Sequence, residues 1–431
     1  MKSLLFSAVA FAFTVPAAAS AATPLDGAVA APSVQIDKAR IDRALAAMVS
    51  SGRAVGVSGL LWQDGREVYF GTAGEADREA KRPMRRDTLA QIYSMTKPVT
   101  GVALMTLWEQ GKFGLDDPLS RYLPEFGQTK VFAGLDAEGK PMLQAPERPI
   151  LIRDILRHTA GFGYGPGEDY PGKEWARLDP LKTDHDLTEF GRRLAQVPLL
   201  YEPGRRWSYS AAVDVQALLV EKLTGMPFER YVRQQIFEPL GMKDTAWTQP
   251  ESRYVRLAAM YEKGTDASLQ RASEQEQRGL NFTPGRKLTM GGAGLVSSVD
   301  DYMRFARMLL NQGSLDGVRI LKPSTVKLMA TDQLDPLVTE RSWLSSKGTG
   351  GFGLDFFVRT TQPQNASENR GAVGEFFWDG RASTLFWVDP VNKLTTVFFA
   401  QTRPNDQTMH RDLRRAVYGD DYLGPDKVRP F

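Results

Sequence analysis

Two pairs of strand-like segments stand near opposite ends of this chain, and they limit the possible folds more than any other feature. Val55 to Trp62 and Glu67 to Gly71 flank Asp64-Gly65, a dipeptide that accepts the positive φ angles of a tight hairpin. Ser383 to Val388 and Leu394 to Ala400 flank Asp389-Pro390-Val391-Asn392-Lys393 and are rich in β-branched and aromatic residues. The two pairs predict one antiparallel sheet assembled from both ends of the chain.

Between them the pattern turns helical. Ala211 to Thr224 carries Val213, Leu218, Val220 and Leu223, with Ser210 placed as N-cap and Gly225 as the stop. Phe228 to Phe237 predicts a second helix, ending ahead of Pro239 and Gly241. Val299 to Asn311 predicts a third, where Ser298 and Asp301 have capping-box spacing and Gly313 closes the helix. His410 to Tyr418 predicts a C-terminal helix. Residues 125–180 are rich in Gly and Pro and read as loop, apart from a short helix at Ile152 to Arg157. The fold class is therefore α/β in the α+β sense, an antiparallel sheet with packed helices and a mostly helical insertion. The sheet part is expected over about 37–90 and 290–425, and the helical part over about 91–289.

Composition excludes several kinds of function. Across 431 residues, 54 Lys+Arg stand against 51 Asp+Glu, a balance that argues against a nucleic-acid partner. The 42 % of apolar residues can bury a large core. Without cysteine the chain has no disulfide scaffold, thiol nucleophile or zinc–thiolate site. Its three histidines (His158, His185 and His410) lack metal-ligand spacing, and no metal or organic cofactor is expected. Lys2, the apolar run Leu4 to Val15 and Ala19-Ser20-Ala21 read as a cleavable export signal over residues 1–21. That run is shorter than the roughly 20 residues a bilayer needs. Residues 22–36 are then a flexible lead into a domain over 37–425, placed in the periplasm or the medium. No later stretch is long and apolar enough to span a membrane.

A nucleophile candidate lies in Ser94-Met95-Thr96-Lys97. On a helix, positions i and i+3 share a face, so the lysine amine can reach the serine hydroxyl. The spacing alone is a weak signal, and Ser324-Thr325-Val326-Lys327 repeats it in a segment that reads as surface helix. Pro98 separates the two. Proline is tolerated in a first helical turn, so Pro98 puts the start of the helix Val99 to Gln110 near Ser94. The serine then sits at the positive end of the helix dipole, which favours an oxyanion and disfavours a protonated lysine. A histidine triad is the rival. No Gly-x-Ser-x-Gly elbow exists in the chain, and His158 alone has a suggestive setting, as a base or as a structural hydrogen-bonding residue.

Taken in order, Ser94-Met95-Thr96-Lys97, His158-Thr159-Ala160-Gly161, Tyr209-Ser210-Ala211 and Gly291-Gly292-Ala293-Gly294-Leu295 resemble serine hydrolases of the class C β-lactamase fold. This superfamily includes penicillin-binding DD-peptidases, D-aminopeptidases and the family VIII carboxylesterases, and the resemblance covers roughly residues 40–425. It implies a β-lactamase-like fold and Tyr209 as partner of Ser94 and Lys97. A free tyrosine titrates near pH 10, so holding it ionised at pH 7 costs about 4 kcal/mol. The base is therefore expected to be Tyr209 and Lys97 jointly. Ala211 stands where Asn is common in the family, which removes a side chain suited to amide-bearing substrates.

Penicillin-recognising members carry Lys-Thr-Gly on a strand beside the nucleophile. Trp378-Asp379-Gly380 fits that position here and is similar to the Trp-x-Gly of family VIII esterases. Tryptophan supplies an apolar wall and no cation, favouring neutral esters, although Arg381 could restore a positive charge. The Arg381 amide is the expected second oxyanion donor beside that of Ser94, and Gly380 permits close backbone approach to substrate. Lys347-Gly348-Thr349-Gly350 is a shuffled look-alike in a Ser/Gly loop. Gly348 to Gly353 matches a dinucleotide motif, but Leu354 to Val358 reads as a strand where that motif needs a helix. Tyr93, Phe162, Tyr164, Phe376 and Phe377 are candidates for an acyl pocket or for core. The expected activity is ester hydrolysis through an acyl-enzyme on Ser94. The alternatives are a β-lactamase, DD-peptidase or D-aminopeptidase with the same centre, and an inert cell-wall or peptide-binding protein.

Overall fold

The computed structural model describes residues 34–266, 268–277, 285–365 and 367–425. The export-signal reading therefore lies outside the described residues. Val34, at the start of them, is buried. Its amide donates to Asn392 Oδ1 (3.2 Å) and its carbonyl accepts from Gln63 Nε2 (2.9 Å). Residue 34 of the expected lead-in is thus tied to the sheet, and 22–33 lie outside the described residues.

Eight strands of the described residues form one antiparallel sheet. They are β1 (Gly56–Gln63), β2 (Arg66–Asp77), β3 (Arg82–Pro83), β4 (Gly350–Phe352), β5 (Phe357–Arg359), β6 (Phe376–Asp379), β7 (Leu385–Asp389) and β8 (Leu394–Ala400), in the order β4-β5-β6-β7-β8-β1-β2-β3. The two distant strand pairs meet at β8 and β1, paired from Val57 with Ala400 to Gln63 with Leu394. At the first hairpin tip Asp64 has φ 48° and Gly65 φ 78°, the twist a two-residue turn needs to match its strands.

Helices cover both faces. Strand residues alternate between faces, so Gly59, which faces Leu45 of helix α1 (Lys38–Ser50), and Trp62 lie on opposite sides of β1. Trp62 carries the Arg307 guanidinium 3.6 Å from its ring centroid. Arg307 belongs to a helix at Val299–Leu310 that also packs on β7 and β8. Every residue of β7 and β8 is accordingly buried, as expected for a sheet covered twice. The remaining helices that matter here are α2 (Thr96–Glu109) and α3 (Ala212–Thr224), packed on each other. With these named, the Val299–Leu310 helix is α4, and the C-terminal helix is α5 (Gln407–Tyr418). Among the described residues no helix is long and apolar enough to cross a membrane.

Several local expectations are corrected. The N-cap of α3 is Ala211, because the Ser210 hydroxyl pairs with His158 Nδ1 (3.0 Å) and reaches the Ala212 amide only at 3.4 Å. Ser298 does cap α4. Asp301, however, accepts from the Asp244 amide and the Thr245 hydroxyl and makes no box. Residues 125–180 are not all loop: Val131–Leu135 pairs with Pro141–Gln144, and Tyr170–Leu178 is helical behind the Asp169 cap. The strand expected over Leu354 to Val358 begins only at Phe357, since Asp355 sits at φ 63° and breaks the extended run.

Candidate active site

Ser94 lies in a 3-10 turn, Tyr93–Met95, that leads directly into α2, with Pro98 in the first turn of the helix. The turn is clamped from three sides. Ile92 N donates to Leu295 O (3.0 Å), Thr384 Oγ1 donates to Ile92 O (3.3 Å), and Tyr302 Oη donates to Met95 O (2.7 Å). These contacts hold Tyr93 at φ 45°, a conformation a bulky side chain adopts only under constraint. The strained residue therefore precedes the nucleophile candidate.

Lys97 is 1 % exposed. Its Nζ lies 3.4 Å from Ser94 Oγ and donates to Tyr164 Oη (3.1 Å) and Gly292 O (2.8 Å). It also sits 4.4 Å from the Tyr209 ring centroid. Burial pushes the amine down to about 8, while Asp214 and Asp355 pull it back up. Both carboxyl groups are themselves raised by burial, so the charges that would keep Lys97 protonated are weakened at their source. Asp214 Oδ1 accepts from the Gly292 amide (3.0 Å), and Asp355 Oδ1 accepts from Gln216 Nε2 (3.1 Å). The Gly291 to Leu295 segment thus closes the lysine pocket. A Cβ at Gly292 would stand 2.8 Å from Asp214 Oδ2, 2.9 Å from Tyr164 Oη and 3.2 Å from Lys97 Nζ.

Tyr209 precedes α3, and its hydroxyl is shut from solvent without a well-formed hydrogen bond. Burial drives its acidity down, and the Ser94 hydroxyl and Trp378 indole beside it oppose that only in part. Tyr164 is likewise held protonated by burial. The lysine, then, is the group able to shed its proton near neutrality. His158 packs its ring 4.9 Å from that of Tyr209 and spends Nδ1 on Ser210. Burial, with Lys97 next, keeps it neutral. Of the two roles open to it, the structure assigns the structural one.

Ser94, Tyr209, Trp378, Asp379 and Arg381 line one cleft of about 920 Å³. The Trp378 ring lies, tilted, 5.6 Å from that of Tyr209 and 6.1 Å from that of Trp343. Gly380 has a packing role of its own. It lets the Ile92 backbone approach closely, since a Cβ there would collide with the Ile92 carbonyl and Thr384 Oγ1. It seats β6 against the nucleophile turn. Tyr93 and Tyr164 do line the cleft, whereas Phe162, Phe376 and Phe377 are core, packed on Phe126, Phe356 and Phe357. Ser324 and Lys327 are exposed on a separate helix.

Sequence reasoning missed Asp214, Asp355 and Lys347. Asp214 had a signal, as a carboxylate within Ala212-Val213-Asp214-Val215, where an otherwise apolar helix must give it a partner. Lys347, set aside with its loop, enters the cleft wall and pairs with Asp379.

Comparison with known proteins places the chain in a family. The family model described as Beta-lactamase matches residues 41–419. Esterase EstB of Burkholderia gladioli is 34 % identical over 400 residues, covering 88 % of this chain and 95 % of its own. The structure of EstCE1, a hydrolase with promiscuous acyltransferase activity, superposes with a TM-score of 0.73 at 29 % identity, over 88 % of this chain and 98 % of that one. Simvastatin synthase (LovD) from Aspergillus terreus gives 0.75 at 25 % identity, over 88 % and 96 %. The chain belongs to the beta-lactamase family and is a serine hydrolase of that superfamily, similar to the family VIII carboxylesterases.

Proposed function

We infer that this protein hydrolyses uncharged carboxylic esters of short to medium acyl chain through an acyl-enzyme on Ser94. The observation that carries the reading is the 3.4 Å contact between Ser94 Oγ and a fully buried Lys97 amine held near 8. Neutral Lys97 takes the serine proton as Oγ attacks the carbonyl carbon. The carbonyl electrons move onto oxygen, which the backbone amides of Ser94 and Arg381 receive. As the intermediate collapses the alkoxide leaves, taking the proton from Lys97 through the Tyr209 hydroxyl. Water then gives a proton to Lys97 and attacks the acyl carbon, and Ser94 departs with that proton. The wall of Trp378, Trp343 and Tyr209 accepts an apolar group. The esterase named among the relatives supports this class of substrate.

Chromogenic p-nitrophenyl esters assayed beside a chromogenic cephalosporin test the reading. Ester turnover should dominate, and Ser94→Ala should remove it by at least about 10⁴-fold. Dominant cephalosporin cleavage would replace the esterase reading with the β-lactamase one. We read residues 1–21 as an export signal, with the domain from about 37 to 425 working in the periplasm or the medium. An exported form should begin at Ala22 by N-terminal sequencing, and an intact N-terminus in that form overturns this.

A further inference from the structure

The cleft wall contains a buried ion pair that the ester reading leaves unused. Lys347 and Asp379 are 3 % and 6 % exposed, respectively, and joined to each other. Lys347 Nζ sits 5.3 Å from the ring centroid of Trp343 and 5.6 Å from that of Trp378. Asp379 directly follows Trp378 on β6, two residues before Arg381. The pair is therefore one aromatic side chain away from the tyrosine beside Ser94. His410 also faces it, with Nδ1 3.7 Å from Asp379 and Nε2 3.1 Å from the Ser383 carbonyl. Burial holds this imidazole down at about 4, so the Asp379 charge is answered by Lys347. The other cations of the cleft sit elsewhere. Arg403 is paired with Glu262, while Arg286 and Arg381 are exposed, where water and salt screen them.

We propose that Asp379 sets the charge selectivity of this site: by occupying the Lys347 ammonium it makes the wall electrically neutral, restricting the cleft to uncharged esters. The proposal rests on the ester-hydrolase reading above. A carboxylate-bearing substrate meets an ammonium whose contact is already taken, beside a carboxylate that repels it. With Asp379→Asn the ammonium faces a neutral amide, and a substrate carboxylate can take the vacated contact. With Lys347→Gln the Asp379 charge stands alone and repels anions further.

Two matched substrate pairs test this. One is p-nitrophenyl hexanoate against the mono-p-nitrophenyl ester of adipic acid, with the charge on the acyl side. The other is phenyl butyrate against 4-carboxyphenyl butyrate, with the charge on the leaving side. The readout is the anionic-to-neutral ratio of kcat/KM within each pair. The wild type should lie well below one in both. Asp379→Asn should raise the ratio about tenfold or more in at least one pair, Lys347→Gln should lower it there, and the double variant should fall back toward the wild-type ratio. A merely structural role would slow both members of a pair alike and leave the ratio unmoved. An unmoved ratio in Asp379→Asn, or a gain that survives in the double variant, overturns the proposal. Should Asp379→Asn not fold, an unmoved ratio in Lys347→Gln, or a wild-type ratio near one, does the same. A wild type inactive on every neutral ester sinks the ester reading; activity with an unmoved ratio sinks the charge proposal alone.

Discussion

The proposed chemistry turns on one lysine, Lys97, that its surroundings deprive of water. An amine with its proton cannot accept another, so turnover should follow the neutral fraction of Lys97. With the amine held at about 8, kcat/KM for a neutral ester should climb about tenfold per unit on the acid side and level off above pH 8. A pH profile measured from 6 to 9.5 checks this. Asp214 pulls that value upward, so Asp214→Asn should move the acid limb to lower pH; a limb that stays put would show the carboxylate without influence. Lys97→Arg keeps a cation that never deprotonates, and should cost about 10²–10⁴-fold in turnover while leaving the fold intact by circular dichroism. The proximity of Ser94 and Lys97 was legible because their contact is local, three residues along one helix start. Asp214 and Asp355 were not placed, because their significance arises only where α3 and the turn before β5 close over α2.

At the level of elements, the site is a junction between a strand end and a helix start. Gly380 is the contact point, and its missing side chain leaves room for the Ile92 carbonyl. Gly380→Ala should push β6 away from the nucleophile turn, lowering kcat by about 10²-fold with a smaller change in KM, as steady-state kinetics would show. The same element logic explains which secondary structure the sequence revealed. The Asp64-Gly65 hairpin and the Gly225 and Gly313 stops are dictated by backbone angles at single residues, and they appear at those positions with positive φ. The Ser210 cap is one residue off because His158, 52 positions away, claims the hydroxyl. The helix at Tyr170–Leu178 was hidden by Pro171 and Gly172 in its first turn, where such residues are tolerated.

For the molecule as a whole, a buried ion cluster joins the sheet to α5. Glu375 is fully buried between two arginines, accepting from Arg359 Nε (3.0 Å) and Arg414 Nη1 (2.9 Å). Arg414 lies in turn 4.5 Å from the ring centroids of both Phe377 and Trp387. Glu375→Gln leaves two buried cations facing a neutral amide, and should lower unfolding free energy by about 3–5 kcal/mol. A urea titration with an unchanged midpoint would contradict this. The pairing of β1 with β8 has another consequence, one of timing. When Gln63 leaves the ribosome its partner Leu394 has not been translated, and at 5–20 residues per second the wait is roughly 20–70 s. For all of that interval the inner edge of the first hairpin is an open template for a neighbouring nascent chain. The cell must shield it, by a holding chaperone or by keeping the chain unfolded until synthesis is complete.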